Sequence, residues 1–590
     1  MQLIFRYMKT FASASCLSMF LKLIATFFEL ALPYILEHMI DHVVPSGNLT
    51  HVIFWGIAMI FTALLCWIFN ILANRKAVNN AHHISYNVRK DLFDKTINLS
   101  GSQFDAFGLP SLTSRMTSDS YNVQSFAQAF QTICVRAPIM LVGGIIVTLT
   151  IDPVLSSILC IMVPILLVVV LSVSRRGIPL YNKVQTRLDD VTRVLRENIT
   201  GIRVIKALSK TEYETERFRD INQKMTDQDM QANTFMAIPG PSMQLSLNIG
   251  LTLVVLIGAY RVNAGLMKPG VILAFLTYFN LIMMSVMALN RIFMMTSKAS
   301  ASADRIALVL AAEDEPKVII DTEPDSSDAY IHFDHVSFSY RKQKSNKDME
   351  NCLSDIDFTM PKGGTLGIIG PTGCGKTTII NLLMRFYDAD EGAVYINGKD
   401  VRSYEKDELH SLFGSVFQND IVFNDTLKEN ILFGRNLSDE QLSTAIQDAQ
   451  AYEYISQLKE GLDYKADIKG ANLSGGQKQR LLISRALAGN PDILILDDSS
   501  SALDYKTDAL LRKAIAEHHN DSTLIMIAQR VSSIQNADQI LVLDNGRLVE
   551  RGTHEQLLAK KGYYSTVFHH QYGEFDRFKK VRAEKGRGEA

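Results

Sequence analysis

The sequence predicts an all-α membrane domain of six spanning helices with long cytoplasmic helical extensions, followed by an α/β domain built on a phosphate-binding loop. Three observations predict it. Long apolar runs fill the first half of the 590 residues and are absent from the second. An acidic, polar segment, Asp314–Asp328, carries Pro316 and Pro324 and separates the halves. Beyond it, Gly370-Pro-Thr-Gly-Cys-Gly-Lys376-Thr377 has the spacing of a glycine-rich loop whose backbone N–H groups cradle phosphates. A net charge of −2 leaves no basic footprint of the kind that nucleic-acid binding needs.

Six stretches reach the roughly 20 mostly apolar residues that a spanning helix requires. They are Cys16–Ile35, Val52–Ala73, Ala129–Ile151, Val154–Val173, Met243–Val262 and Val271–Leu289. Lys22 and Glu29 interrupt the first, and no small-residue cleavage site follows it, so it reads as a retained helix and not a leader. Three connections are short: Asp41–His51, the Asp152-Pro153 turn and Asn263–Gly270. Two are long: Asn74–Gln128 and Ser174–Ser242. The latter carries twelve Lys and Arg between Arg175 and Lys224, whereas Asp41–His51 carries none. That bias puts the long segments and both termini on the cytoplasmic side. Folded as paired helical legs of about 25 residues, each long segment reaches roughly 35–40 Å beyond its span. Breakers mark the tips at Phe104–Pro110 and within Ile199–Leu208.

A charge at the bilayer centre costs at least about 2.5 kcal/mol, so such residues face a cavity or a partner helix. Glu29 and Arg136 are therefore candidate substrate-path residues, and equally a structural pair or interfacial snorkellers. Met283, Met287 and Met294 share one helical face, which suits either a flexible ligand surface or simple packing.

In the second half, Tyr330–Tyr340 alternates like a strand. Thr365–Ile369 reads as a buried strand feeding the phosphate loop, and Thr377–Phe386 as the helix after it, the context that such a loop requires. Further on stand Leu473-Ser-Gly-Gly-Gln477, the apolar run Ile493–Leu496, and Asp497-Asp498. In this order the three motifs resemble the ATPase domain of ABC transporters, and the long inner segments resemble the coupling regions of ABC exporters.

The resemblance covers nearly the whole chain. It implies an exporter membrane domain at 1–313, a linker at 314–328, an α/β P-loop ATPase domain at 329–572 and a polar tail at 573–590. It implies ATP and Mg²⁺ as cofactors. Tyr340 would stack on adenine, while Gly370, Pro371, Thr372, Gly373, Cys374, Gly375, Lys376, Thr377 and Thr378 hold the phosphates. Thr377, Gln418 and Asp497 would surround Mg²⁺, and Ser501–Asp504 would touch the opposite ATPase domain. Leu473, Ser474, Gly475, Gly476 and Gln477 form the signature, which would act on the ATP of a second subunit.

Two positions depart from the family pattern. Asp498 stands where a catalytic glutamate is usual, which withdraws the carboxylate by roughly 1.5 Å. Gln529 replaces the switch histidine; it can donate a hydrogen bond but carries no charge. Ile468 also replaces a glutamate common just upstream of the signature. The implied protein is one half of a heterodimeric exporter of hydrophobic, multidrug-type compounds in the plasma (inner) membrane. Its partners would be the lipid bilayer and a second half-transporter with an intact catalytic site. A homodimeric lipid or peptide exporter and a non-transporting regulatory subunit remain the alternatives.

Overall fold

The computed structural model describes residues 1–313, 318–319, 325, 327–340, 352–499 and 502–572, apart from the side chains at 174, 178, 182 and 290. Most of the expected linker, Ser501 and the 573–590 tail lie outside the described residues. Two compact units emerge. One joins Met1–Asn98 with Phe107–Ala312; the other joins Leu99–Ala106 with Glu313–Ala590.

The first unit is all-α. Six of its helical stretches are long and apolar enough to cross a membrane: Ala12–Ser46, Leu49–Ile97, Leu109–Ile151, Pro153–Thr200, Thr211–Asn263 and Pro269–Leu310. Each contains one of the spans expected from hydropathy. The helix from Leu49 runs unbroken for 49 residues and the one from Pro153 for 48. The inner segments therefore continue the spans as helical legs, one leaving and one returning in each segment. Short helices, Gly101–Phe107 and Ile202–Ala207, occupy the expected tips.

Side-chain caps fix where these helices begin. The Asp152 carboxylate accepts from Val154 N at 2.9 Å and Leu155 N at 3.0 Å, with Pro153 pre-set for the first turn. The last helix is capped from a distance: Asp41 accepts from Gly270 N at 2.6 Å and Val271 N at 3.1 Å. That bond ties the end of the first span to the start of the sixth.

The charges inside the spans find partners. Lys22 is buried, and its ammonium donates to Asn70 Oδ1 at 2.7 Å and Asn74 Oδ1 at 3.2 Å, one turn apart on the next helix. Glu29 and Arg136 form a bidentate pair, with Arg136 Nε on Glu29 Oε2 at 2.9 Å. Between them the two side chains keep about a fifth to two-fifths of their surface. Of the two readings for the methionine face, packing describes the surroundings of Met283. It is fully buried beside Phe275, Tyr278, Phe279 and Ile282, because its face of the helix points into the chain's own bundle. Met287 packs half-buried against the same core, and Met294 is half-buried further along. Tyr278 closes this core by donating its hydroxyl to Leu30 O at 2.6 Å. By contrast, the apolar window of the Leu49–Ile97 helix has no residue buried inside the chain. Phe54, Ile57, Phe61, Leu64 and Trp67 all stand exposed along it, a surface that lipid or another subunit must cover.

The C-terminal unit is α/β. Its strands are β1 Ile331–Phe338, β2 Leu353–Met360, β3 Thr365–Ile369, β4 Glu391–Ile396, β5 Lys399–Asp400, β6 Phe413–Val416, β7 Ile493–Asp497, β8 Thr523–Ile527, β9 Gln539–Asp544 and β10 Arg547–Gly552. A four-stranded antiparallel sheet runs β2-β1-β4-β5. A six-stranded sheet runs β10-β9-β3-β8-β7-β6, parallel except for β10 at its edge. Strands β7 and β8 are buried along their whole length, so their sequences are continuous apolar runs with no alternation. The carboxyl ends of β3, β7 and β8 lie side by side, the usual place for ligands in an open α/β sheet.

Candidate nucleotide site

The phosphate loop leaves β3 and enters the helix Lys376–Leu383. Its shape depends on glycine at two points. Gly375 has φ +99°, and a Cβ there would lie 2.5 Å from Leu353 Cδ2. A Cβ at Gly370 would lie 2.2 Å from the Leu543 carbonyl oxygen of the neighbouring strand. Only glycine lets the loop turn this tightly beside the sheet. The loop is thus pre-shaped, with N–H groups and a helix N-terminus converging where an anion binds.

A cavity of about 240 Å³ opens over this loop. Thr372, Gly373, Gly375, Lys376, Thr377 and Thr378 line one side; Gln418, Asp497, Asp498 and Gln529 line the other. Lys376 folds its ammonium over the loop, donating to Gly370 O at 2.9 Å and Pro371 O at 2.8 Å. Cys374 points away from the cavity; it is buried near Gly370, and burial pushes its thiol pKa up. Thr377 Oγ1 donates to Asp497 Oδ2 at 3.0 Å. This hydroxyl and carboxylate, side by side with the Gln418 carboxamide in the same lining, form a hard oxygen set that fits Mg²⁺.

Asp497 ends β7 and is almost fully buried. Burial pushes its carboxyl pKa up, the hydrogen bond from Thr377 pulls it down, and the neighbouring Asp498 adds to the rise. A raised carboxyl pKa means that the folded chain takes up this proton more readily than the unfolded one. The contribution to stability is full below the ordinary carboxylate pKa and is lost as pH rises through the folded value. At neutral pH the ionised Asp497 therefore costs stability unless a cation joins it. Asp497→Asn is expected to raise the thermal midpoint of the nucleotide-free protein by roughly 2–4 °C, the shift that about 1 kcal/mol produces in a unit of this size. It should also remove the Mg²⁺ dependence of ATP binding. Calorimetry with and without Mg²⁺ checks both.

Asp498 has a left-handed backbone, φ +49°, a region that aspartate tolerates better than most residues. Burial pushes its pKa up, opposed by Arg530 and then Lys376. Gln529 lies just past the end of β8 and is exposed; its Nε2 donates to Asp498 Oδ2 at 3.1 Å. The two residues that depart from the family pattern therefore bind each other.

Tyr340 is a little under half exposed and does not itself line the cavity. Its hydroxyl donates to Thr378 Oγ1 at 3.2 Å and accepts from Asn381 Nδ2 at 3.0 Å. Its ring meets Phe338 and Tyr387 edge-on, with centroids 4.9 and 5.0 Å away. Tyr387 in turn donates to Asp105 Oδ2 at 2.5 Å, and Asp105 belongs to the Leu99–Ala106 segment of this same compact unit.

The signature lies elsewhere on the unit, and none of the described residues Leu473–Gln477 lines the cavity. Ser474 caps the helix Gly475–Leu487 through a reciprocal box: Gln477 N donates to Ser474 Oγ at 3.3 Å and Ser474 N to Gln477 Oε1 at 2.9 Å. Gln477 is thereby committed to the cap, while Gly475 stands exposed at the helix start. Ile468 is 70% exposed, an apolar residue on open surface.

Sequence reasoning missed three participants. Cys352 lines the cavity and holds Thr378 Oγ1 at 3.3 Å, Asn381 orients Tyr340, and Gln571 touches the loop that carries Gln529. Cys352 and Gln571 belong to no motif, and each reaches the site only through the fold. Asn381 lies five residues past Lys376, one helical turn beyond the phosphate-loop spacing.

A phosphate loop, a strand-end aspartate and a detached capped signature, in one chain with six spanning helices, define a membrane transporter driven by a nucleoside triphosphate. Comparison with known proteins agrees. Residues 15–286 match the ABC transporter transmembrane region family, and residues 353–501 match the ABC transporter family. The ABC transporter ATP-binding protein YfiB of Bacillus subtilis (strain 168) is 34% identical, over 97% of this chain and 99% of the relative. The ATP-dependent lipid A-core flippase of Vibrio vulnificus (strain CMCP6) is 32% identical, over 82% of this chain and 83% of the relative. Among solved structures, a bacterial Atm1-family ABC exporter with ATP bound matches with TM-score 0.79. That match spans 95% of this chain and 99% of the other at 22% identity, and it speaks to the fold. The chain belongs to the ABC transporter family and is an exporter-type half-transporter, with a membrane domain fused to an ATP-binding domain.

Proposed function

We propose that this chain is one half of a heterodimeric ABC exporter that moves hydrophobic, multidrug-type compounds out across the plasma (inner) membrane. Both termini and the ATP-binding domain lie on the cytoplasmic side, as the twelve Lys and Arg between Arg175 and Lys224 favour. The chain binds Mg·ATP through the loop Gly370–Thr378, with Tyr340 on the base and Thr377, Gln418 and Asp497 around the metal. It turns that ATP over slowly. It also lends Ser474–Gly476 to the partner's ATP, where hydrolysis is fast. ATP binding draws the two ATPase domains together and reorients the helices; cleavage at the partner's site resets them. Glu29 and Arg136 border the substrate path as a neutralised pair, with Met287 and Met294 on half-buried faces nearby in the sequence of the sixth helix.

The observation that carries this reading is the 3.1 Å hydrogen bond from Gln529 to Asp498. A general base must reach the water that it activates, and a misplacement of about 1 Å costs on the order of a hundredfold in rate. Here the carboxylate is short, its backbone is left-handed, and one oxygen is already engaged by a neutral amide. The Vibrio relative named as a lipid A-core flippase supports a second reading, in which the cargo is a lipid. Co-purification tests the assembly. With a candidate partner that carries glutamate and histidine at the matching positions, ATP turnover and transport should both appear. Brisk, transport-coupled turnover by this chain alone would overturn the asymmetric arrangement. A cargo panel of lipophilic cations, lipids and peptides separates the two substrate readings.

A further inference from the structure

The backbone after β8 leaves the sheet abruptly. Ala528 N makes the last main-chain bond to it, to Ile368 O at 3.2 Å. Gln529 and Arg530 follow as exposed residues, and the short helix Val531–Ile534 then begins. Two main-chain groups of this turn find a partner far along the chain. Gln571 Nε2 donates to Gln529 O at 2.8 Å, and Val531 N donates to Gln571 Oε1 at 2.9 Å. One carboxamide thus grips the turn on both sides of Arg530. The glutamine carboxamide offers a donor and an acceptor on one planar group, and both are used here.

The grip is anchored. Residues 563–572 form the final described helix. Tyr564 on that helix is fully buried and holds His554 Nδ1 at 2.7 Å. Phe568 packs edge-on against His554 at 5.3 Å and stacks on Tyr572 at 4.6 Å. The helix that presents Gln571 is therefore fixed to the core of the ATP-binding domain. The turn it holds is also tied beyond residue 530, by the buried Val531 side chain and by Arg512 Nη1 donating to Ser532 O at 2.6 Å, and Gln571 adds the bond to the Gln529 carbonyl itself.

We propose that Gln571 is a positioning residue: by fixing the 529–531 backbone it sets the side chain of Gln529 on Asp498, so that the C-terminal helix governs how long nucleotide stays at this chain's own site. The inference rests on the slow-site reading only for the direction of the change. If the turn is released, Gln529 no longer holds Asp498, and ATP bound here is cleaved and released sooner.

The test uses the full-length pair loaded with a fluorescent ATP analogue, and reads the dwell time at this chain's site beside the thermal midpoint. Gln571→Ala should shorten the dwell by about fivefold or more, the factor that one or two net hydrogen bonds supply. Gln571→Glu keeps the size and the acceptor but loses the donor, and it should shorten the dwell similarly. Truncation after Tyr572 should leave the dwell as it is. The thermal midpoint should fall by no more than about 2–4 °C in the Gln571 variants, the shift that about 1 kcal/mol produces in a unit of this size, and should not move on truncation. Unchanged dwell in both Gln571 variants, or a loss that simply follows a falling midpoint, overturns the proposal. If the parent pair itself releases or cleaves ATP rapidly here, the slow-site reading fails separately. The same two variants are then judged on kcat against KM: a fall in kcat at constant KM supports the positioning role, and no fall rejects it.

Discussion

Asp498→Glu together with Gln529→His is expected to raise ATP cleavage at this chain's own site by about a hundredfold or more. The glutamate extends the carboxylate by one methylene, roughly 1.5 Å toward the water that it must polarise. The histidine replaces a neutral amide that now spends its donor on Asp498 at 3.1 Å. Each change alone should recover less. Glutamate beside Gln529 can still be held by the amide, and histidine beside Asp498 would serve a base that falls short. Such groups act as a unit, so the double variant should exceed the product of the singles. Single-turnover cleavage in a pair whose other site is blocked by an alanine at the partner's phosphate-loop lysine reads this directly.

Gly475→Asp should have the opposite effect and a comparable size, abolishing turnover in the assembled pair by about a hundredfold or more. Gly475 is exposed at the N-terminus of a thirteen-residue helix, where backbone N–H groups and the helix field favour an anion. A carboxylate there would meet the partner's ATP with like charge. The change is tolerable within the chain itself: a Cβ at Gly475 meets only Ala502 Cβ, at an ordinary 3.7 Å. Loss of turnover would then report on the composite site and not on folding. ATP binding to the loop of this same chain should be unchanged, since no residue of Leu473–Gln477 lines that cavity. Equilibrium binding of ATP alongside steady-state turnover separates the two.

Much of the architecture was legible in the residues because its signals are local and physical. Six apolar runs of spanning length fall within six helices, since in lipid the backbone must satisfy itself inside each segment. Thr365–Ile369 emerges as a central strand because a continuous apolar run bounded by glycine reads the same way in sequence and sheet. What escaped was non-local. The carboxylate of Asp41 capping the helix at Pro269, and Gln571 reaching the turn after β8, join residues that no spacing rule connects. The methionine face was left between ligand surface and packing because periodicity identifies a face without saying what it faces; Met283 packs in the chain's own core. The bond between Gln529 and Asp498 joins the ends of two neighbouring strands, 31 residues apart in the chain. The sequence marks both as departures but does not bring them together.

The central claim is that the two ATP sites of the assembled transporter are unequal, and one measurement bears on it most directly. The purified pair is given radiolabelled ATP for several turnovers and quenched, and the nucleotide retained on this chain is photo-crosslinked and identified. The account predicts intact ATP held at the loop bearing Lys376 while the partner's site has released many equivalents of ADP. Equal loss of the γ-phosphate from both subunits, at the same rate, would contradict it.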